Sequence, residues 1–188
     1  MIDGAYRFDI DDVQYNKAIQ LAKQRIPNEY KRDVKLTYYQ RIDKIAVGYL
    51  GEFAFNQFCQ DNKINIKYLG EVISSEPDNG DFKIINSNKI IDVKTQEVFY
   101  KPQINWRCEV TKEQIGRSVD FYVFAKLFSI KKYKKYVDIV GWIDKENFIS
   151  KSSFRPKGTY LKGRVVRYPR YDVTINQLNS IVNFNKLV

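Results

Sequence analysis

The chain has 188 residues, 44% of them hydrophobic and 15% aromatic, and it carries a formal net charge of +10 without a single histidine. That length suits one domain able to bury roughly 70% of its unfolded surface, and the apolar content excludes a disordered chain. The missing histidine excludes a histidine general base, an HNH-type nuclease and histidine-ligated zinc, while the surplus of lysine and arginine favours a polyanionic partner, nucleic acid before an acidic membrane surface.

In chain order, residues 11–26 predict an amphipathic helix with Val13, Ala18, Leu21, Ala22 and Ile26 inward, opened by aspartates that suit its dipole and ended by Pro27. A longer helix is predicted over 33–62, with Ile45, Leu50, Ala54, Phe55 and Phe58 at helical spacing and with Gly48 and Gly51 admitting close neighbours. Strands follow at 66–73, 81–86 and 89–96, the last two joined as a hairpin by Asn86-Ser87-Asn88. A short strand at 106–110 leads to a helix capped by Thr111. The aromatic, β-branched run 120–130 predicts a central strand and 135–143 its neighbour, linked by a basic turn. Residues 151–171 read as a basic loop, and a C-terminal helix with an Ile175, Leu178, Ile181 and Val182 stripe closes the chain. No apolar run approaches the roughly 18 residues of a membrane helix, and the start lacks a secretion-signal pattern. Cys59 and Cys108 have no metal-type spacing and suit a reducing cytoplasm. The expected fold is α/β, a central mixed sheet flanked by helices.

Three charged residues stand out within the hairpin. Asp92 and Lys94, two apart in an apolar strand, project to one face, with Ile91 and Val93 on the other. Asp81 opens the adjoining strand after the turn-forming Asp78-Asn79-Gly80. A tight turn at 86–88 pairs Asp81 nearer to 93 or 94, so a bulge or a splayed strand end is needed to bring it to Asp92. Two carboxylates at one point suit a hard cation, Mg²⁺ or Mn²⁺, serving a phosphate substrate. A neighbouring lysine can orient or deprotonate water. Taken alone, an Asp-x-Lys pair is more often a solvated ion pair on a surface hairpin.

These residues, in this order, resemble the PD-(D/E)xK phosphodiesterase superfamily, the restriction-endonuclease-like fold with its α-β-β-β-α-β order. The run 48–58, "GYLGEFAFNQF", is similar to the family's first helix, with its acid at Glu52; "GDF" at 80–82 supplies Asp81; "IIDVKTQ" at 90–96 supplies Asp92 and Lys94, with Gln96 on the same face. The similarity spans roughly residues 35–145. It divides the single domain into a helical extension at 1–32, a catalytic core at 33–145, and a basic segment with a terminal helix at 146–188. Pro77-Asp78 preserves the family's literal Pro-Asp three residues early, which makes Asp78 a rival to Asp81. The resemblance implies a metal held by Asp81, Asp92 and the Val93 carbonyl, with Glu52 on a second metal or one of its waters, and Lys94 orienting the attacking water. It implies a DNA endonuclease of restriction, homing, mobile-element or junction-resolving type, prokaryotic or phage-encoded, releasing 5′-phosphate and 3′-hydroxyl ends. The competing reading is a catalytically inactive DNA-binding or assembly protein on the same fold, against which the intact acid set argues.

Lysines and arginines interleaved with tyrosines suggest a nucleic-acid track at Lys131, Lys132, Lys134 and Lys135, and along Arg155, Lys157, Lys162, Arg164, Arg167 and Arg170. A double-strand cut brings two sites together, so a homodimer is the expected assembly, with the first helix and the C-terminal stripe as its candidate contacts.

Overall fold

The computed structural model describes residues 2–26, 36–70, 80–130, 133–161 and 164–187. A strand, β1 (Tyr6–Asp9), precedes the first helix, α1 (Asp12–Arg25). The Asp11 carboxylate accepts the Gln14 N–H at 2.7 Å while the Gln14 amide oxygen accepts the Asp11 N–H at 2.9 Å, a reciprocal cap. Ala18 and Ala22 are buried as predicted, but Val13 is 76% exposed. It stands five residues before Ala18, about 140° round the helix, and so cannot share that face. The second helix, α2 (Tyr38–Asp61), starts at a Thr37–Gln40 box and buries Ala46, Leu50, Ala54, Phe55 and Phe58. A methyl at Gly51 would overlap Thr95, whereas one at Gly48 would meet nothing within 4 Å. The close approach predicted for both glycines occurs at Gly51 alone.

Three strands follow: β2 (Ile66–Tyr68), β3 (Phe82–Ile84) and β4 (Ile90–Val98). Then come β5 (Arg107–Thr111), the single-turn helix α3 (Lys112–Ile115), and the long strands β6 (Phe121–Ile130) and β7 (Tyr133–Asp144). The main sheet runs β1-β7-β6-β4-β3-β2, and β4 and β6 are its parallel pair. β5, the short strand predicted at 106–110, interrupts the α-β-β-β-α-β order that the resemblance implied and joins a different sheet. The N-terminal segment is no mere extension, because β1 extends the main sheet beside β7.

Beyond 145 the structure corrects the sequence reading. In place of a basic loop stand α4 (Lys145–Lys151), β8 (Ser153–Arg155), β9 (Tyr160–Leu161) and β10 (Arg164–Val165). In place of a terminal helix stands β11 (Arg170–Thr174), followed by 3₁₀ turns at 175–177 and 181–187. The strand wins because Val173 packs in the core while Asp172, on the other face, is held by Arg107 at 2.9 Å and Arg155 at 3.2 Å. Asn179 then exchanges backbone hydrogen bonds with Trp142 at 2.8 and 3.0 Å, which a continuous helix would forbid. Ile175 and Ile181 are core and Val182 is 54% exposed, so the four residues form no free stripe. Strands β5, β11 and β8 make a second, antiparallel sheet in the order β5-β11-β8.

The molecule is thus α/β, a mixed sheet with helices against it. One face carries α1 and α2, with Phe55 ringed by Phe58, Phe82 and Phe184. The other carries α4 and the second sheet, with Tyr122, Phe124 and Phe148 at the centre. Strand β6 is apolar almost throughout because both of its faces are covered. Among the described residues no helix is long and apolar enough to cross a membrane.

Candidate active site

The site begins where β3 starts. Phe82 pairs with Ile91 and Lys83 with Ile90, so the same register carried one residue on brings Asp81 level with Asp92. The sequence reading had placed Asp81 opposite 93 or 94. The difference comes from the link, which spends Ile85–Lys89 on the reversal and uses a left-handed Asn88 (φ 59°). Gly80, at φ 115°, makes the entry; a Cβ there would strike the Ile90 side chain.

Asp81 is fixed on three sides. Its N–H donates to the Ile91 carbonyl and its own carbonyl accepts from Leu69 N–H, both at 2.8 Å. Its Oδ2 accepts from the Val93 N–H at 2.6 Å. Ile91 and Val93 turn their backbone groups to the same side of β4, toward β3. The backbone pairing of β3 continues through Asp81 to Ile91 and Leu69, and the Asp81 carboxylate takes the next N–H of β4, that of Val93. The Val93 carbonyl faces the same side of β4. The register alone brings Asp81 level with Asp92, without the bulge or splayed end that the sequence reading called for. Asp78 lies outside the described residues.

Asp92, Lys94 and Gln96 share the face opposite Ile91 and Val93. Asp92 is buried, and its Oδ2 sits 2.5 Å from Lys94 Nζ. That contact is a charge pair without hydrogen-bond alignment, so this buried oxygen has no hydrogen-bond partner among the described residues. The Tyr122 hydroxyl, directly across on β6, is likewise buried and unpartnered. Burial first, and the Asp92 charge second, hold its pKa well above the usual tyrosine range. Gln96 lies at the surface, where its amide oxygen accepts from Lys126 Nζ at 2.6 Å. Lys126 is buried, and it also donates to the Arg107 carbonyl at 2.7 Å.

Glu52, on α2, is buried on the face of the sheet opposite Asp92 and Lys94, so it does not share their face as the resemblance implied. The Tyr68 hydroxyl donates to its Oε2 at 2.5 Å. Burial, then the charge of Glu52 and more weakly that of Asp81, push the Tyr68 pKa far up, so it stays a donor. Neither Tyr68 nor Lys126 carries a sequence signal: one is a lone tyrosine in a short strand, the other a lysine inside an aromatic run. Among the described residues no three acidic or cysteine side chains converge as a metal-holding group. What β3 and β4 offer is two carboxylates and a backbone carbonyl. That set fits magnesium, which takes one or two carboxylates and fills the rest of its shell with water and substrate phosphate. Asp92, whose buried Oδ2 meets Lys94, is the acid that fits best.

The predicted nucleic-acid track divides. Arg155 and Arg170 are committed to Asp172 and Glu109. Burial raises the Glu109 pKa even with Arg170 beside it. Lys134 is not on a turn but within β7, paired with Glu97 at 2.5 Å and Asp43 at 3.2 Å. Lys135, Lys157 and Arg167 are exposed. For Arg164 the backbone alone is described, in β10, and Lys131, Lys132 and Lys162 lie outside the described residues.

The fold is α/β, with Asp81 on β3 level with Asp92 on β4 and with Lys94 paired to Asp92. Comparison with known proteins finds no matching family model, curated protein or solved structure.

Proposed function

We propose that this protein is a metal-dependent DNA endonuclease on a restriction-endonuclease-like core, hydrolysing phosphodiester bonds to 5′-phosphate and 3′-hydroxyl ends. The observation that carries the reading is the Asp81 carboxylate bonded to Val93 N–H at 2.6 Å, which anchors one acid beside Asp92 and Lys94 at the start of β3. Asp92 is buried with Lys94 as its ion-pair partner, the acid-and-lysine arrangement that the reading needs.

In this reading Asp81, Asp92 and the Val93 carbonyl hold Mg²⁺ or Mn²⁺, and Glu52 orders a further metal or its water. The bound metal polarises the phosphoryl oxygen and acidifies water. Lys94, fixed by Asp92, orients the attacking water and relays its proton. Val93 N–H keeps Asp81 in place, Tyr68 keeps Glu52 turned inward, and Gln96 presents its amide above Lys126 to the scissile strand. The +10 charge draws DNA to the surface.

The test is conversion of supercoiled, linear and branched DNA with Mg²⁺, Mn²⁺ or EDTA. Cleavage is expected with either metal and not with EDTA. Lys94→Ala and Asp92→Asn should each slow it by about 100-fold or more while DNA affinity holds. A variant that cuts at the wild-type rate sinks the site, and an inert wild type on every substrate leaves a DNA-binding module.

A further inference from the structure

Exposed large apolar side chains gather at one end of the main sheet. Strands β4 and β6 run parallel with Val98 beside Phe128, so Phe99 and Tyr100 leave the sheet level with the β6–β7 tip. At that tip Ile130 pairs with Tyr133. Lys134 binds both Glu97 of β4 and Asp43 of α2, which pins the start of α2 to the same end. Tyr38 and Tyr39, in edge-to-face contact, lie one turn before Asp43. Tyr39, Tyr100 and Tyr133 are 79%, 77% and 70% exposed, far more than a tyrosine that contributes to a core.

The cations there are placed to work with the rings. Lys101 follows Tyr100, and Lys135 sits 5.7 Å from the centroid of the Tyr133 ring. Both lysines are exposed, whereas the acids of this end among the described residues, Asp43 and Glu97, already share Lys134. Rings open to solvent beside unneutralised ammonium groups suit unpaired bases on a phosphate backbone: every base offers a face to stack, and the lysines take the phosphates. A twofold contact between copies through this face would instead set Lys101 and Lys135 against like charges. Duplex DNA has no unstacked bases to offer.

We propose that this aromatic end binds single-stranded DNA, so that the protein engages DNA carrying an unpaired strand. The proposal rests on the nucleic-acid reading of the site and names its substrate class. From Asp92 to the end of β4 is about 20 Å, so a strand stacked on Phe99 and Tyr100 leads toward the acids within a few nucleotides.

The experiment is fluorescence anisotropy in EDTA, which separates binding from cleavage, with a labelled oligonucleotide and its duplex. Wild type should prefer the single strand. Tyr39→Ala with Tyr100→Ala should weaken single-strand binding by about tenfold or more, since each lost ring removes a stacking partner, with less than about a twofold change for duplex. The leucine pair, Tyr39→Leu with Tyr100→Leu, should weaken it as much, because leucine keeps apolar contact without a stacking face. Circular dichroism checks that the variants fold. Equal binding of both DNA forms, or leucine variants that bind like wild type, overturns the proposal and leaves the nuclease reading standing. Binding to neither form overturns both. Variants that change only the sedimentation behaviour would make this end a contact between copies and overturn the proposal.

Discussion

Two acid–lysine groupings sit on the same strand, one at each end of β4. At the far end Glu97 accepts from Ser129 Oγ at 2.6 Å and from Lys134 Nζ at 2.5 Å, and Lys134 also holds Asp43, closing strands β4, β6 and β7 to helix α2. At the near end Asp92 is more deeply buried, yet among the described residues its Oδ2 meets one ion-pair partner, Lys94, where Glu97 meets a lysine and a serine. The chemistry of the residues is the same, and the degree of satisfaction separates them. A saturated ion-pair network fastens elements together, whereas a buried carboxylate left short of partners is one that a ligand can complete.

That contrast can be broken by substitution. The largest effect is expected at the near end, where Asp92→Asn should remove at least about 100-fold of metal-dependent cleavage and shift thermal stability little. A variant that lost stability while cutting normally would make the two ends alike. At the far end the reverse is expected. Lys134→Met strands Glu97 and Asp43, and should cost about 2 kcal/mol in urea denaturation, below the 3–5 kcal/mol of a fully buried pair because the Asp43 side chain is 44% exposed. Cleavage per folded molecule should not change. The pairing raises the Lys134 pKa despite burial, so its stabilisation is present at neutral pH and is lost as pH rises through that raised value. A Lys134→Met protein as stable as wild type would show the network to be ornamental.

Lys126 sharpens the comparison between the two. It is buried like Lys134, but the oxygens it donates to are uncharged, those of Gln96 and Arg107. Lys126→Met should therefore leave Tm unchanged or raised, because a buried ammonium is costly to desolvate. It should lower kcat by about tenfold with KM nearly constant if Gln96 acts in the transition state. A matching fall in Tm would assign Lys126 to packing alone. The smallest effect concerns Cys108. Burial pushes its thiol up to about 11, so at pH 8 iodoacetamide should leave it unmodified until urea is added. Because the native state holds this proton more tightly, that contribution to stability is full below the ordinary thiol value and falls as pH rises toward about 11. Labelling of the native thiol would show that the second sheet does not cover the main one.

Periodicity and punctuation sufficed for much of the molecule. The α2 stripe, the Thr111 cap, the β3–β4 hairpin and the apolar run of β6 are local patterns, and local patterns follow from backbone geometry. Asp92 and Lys94 on one face needed only the period of two. The sequence could not set the level at which Asp81 meets Asp92, because register depends on how many residues the link spends and on a left-handed Asn88. Nor could it turn 170–174 into a strand. There the helical spacing of Ile175, Leu178 and Ile181 was overruled by two arginines around a buried Asp172 and by the Trp142–Asn179 bridge, all of them partners from distant parts of the chain. Tyr68 and Lys126 were equally illegible, since a residue that acts by holding another is defined by what it touches. Composition and period determined which side chains this protein can bury and where its charges fall along each strand. Only the tertiary structure decided which of those charges are satisfied, because satisfaction is a property of neighbours brought together by folding.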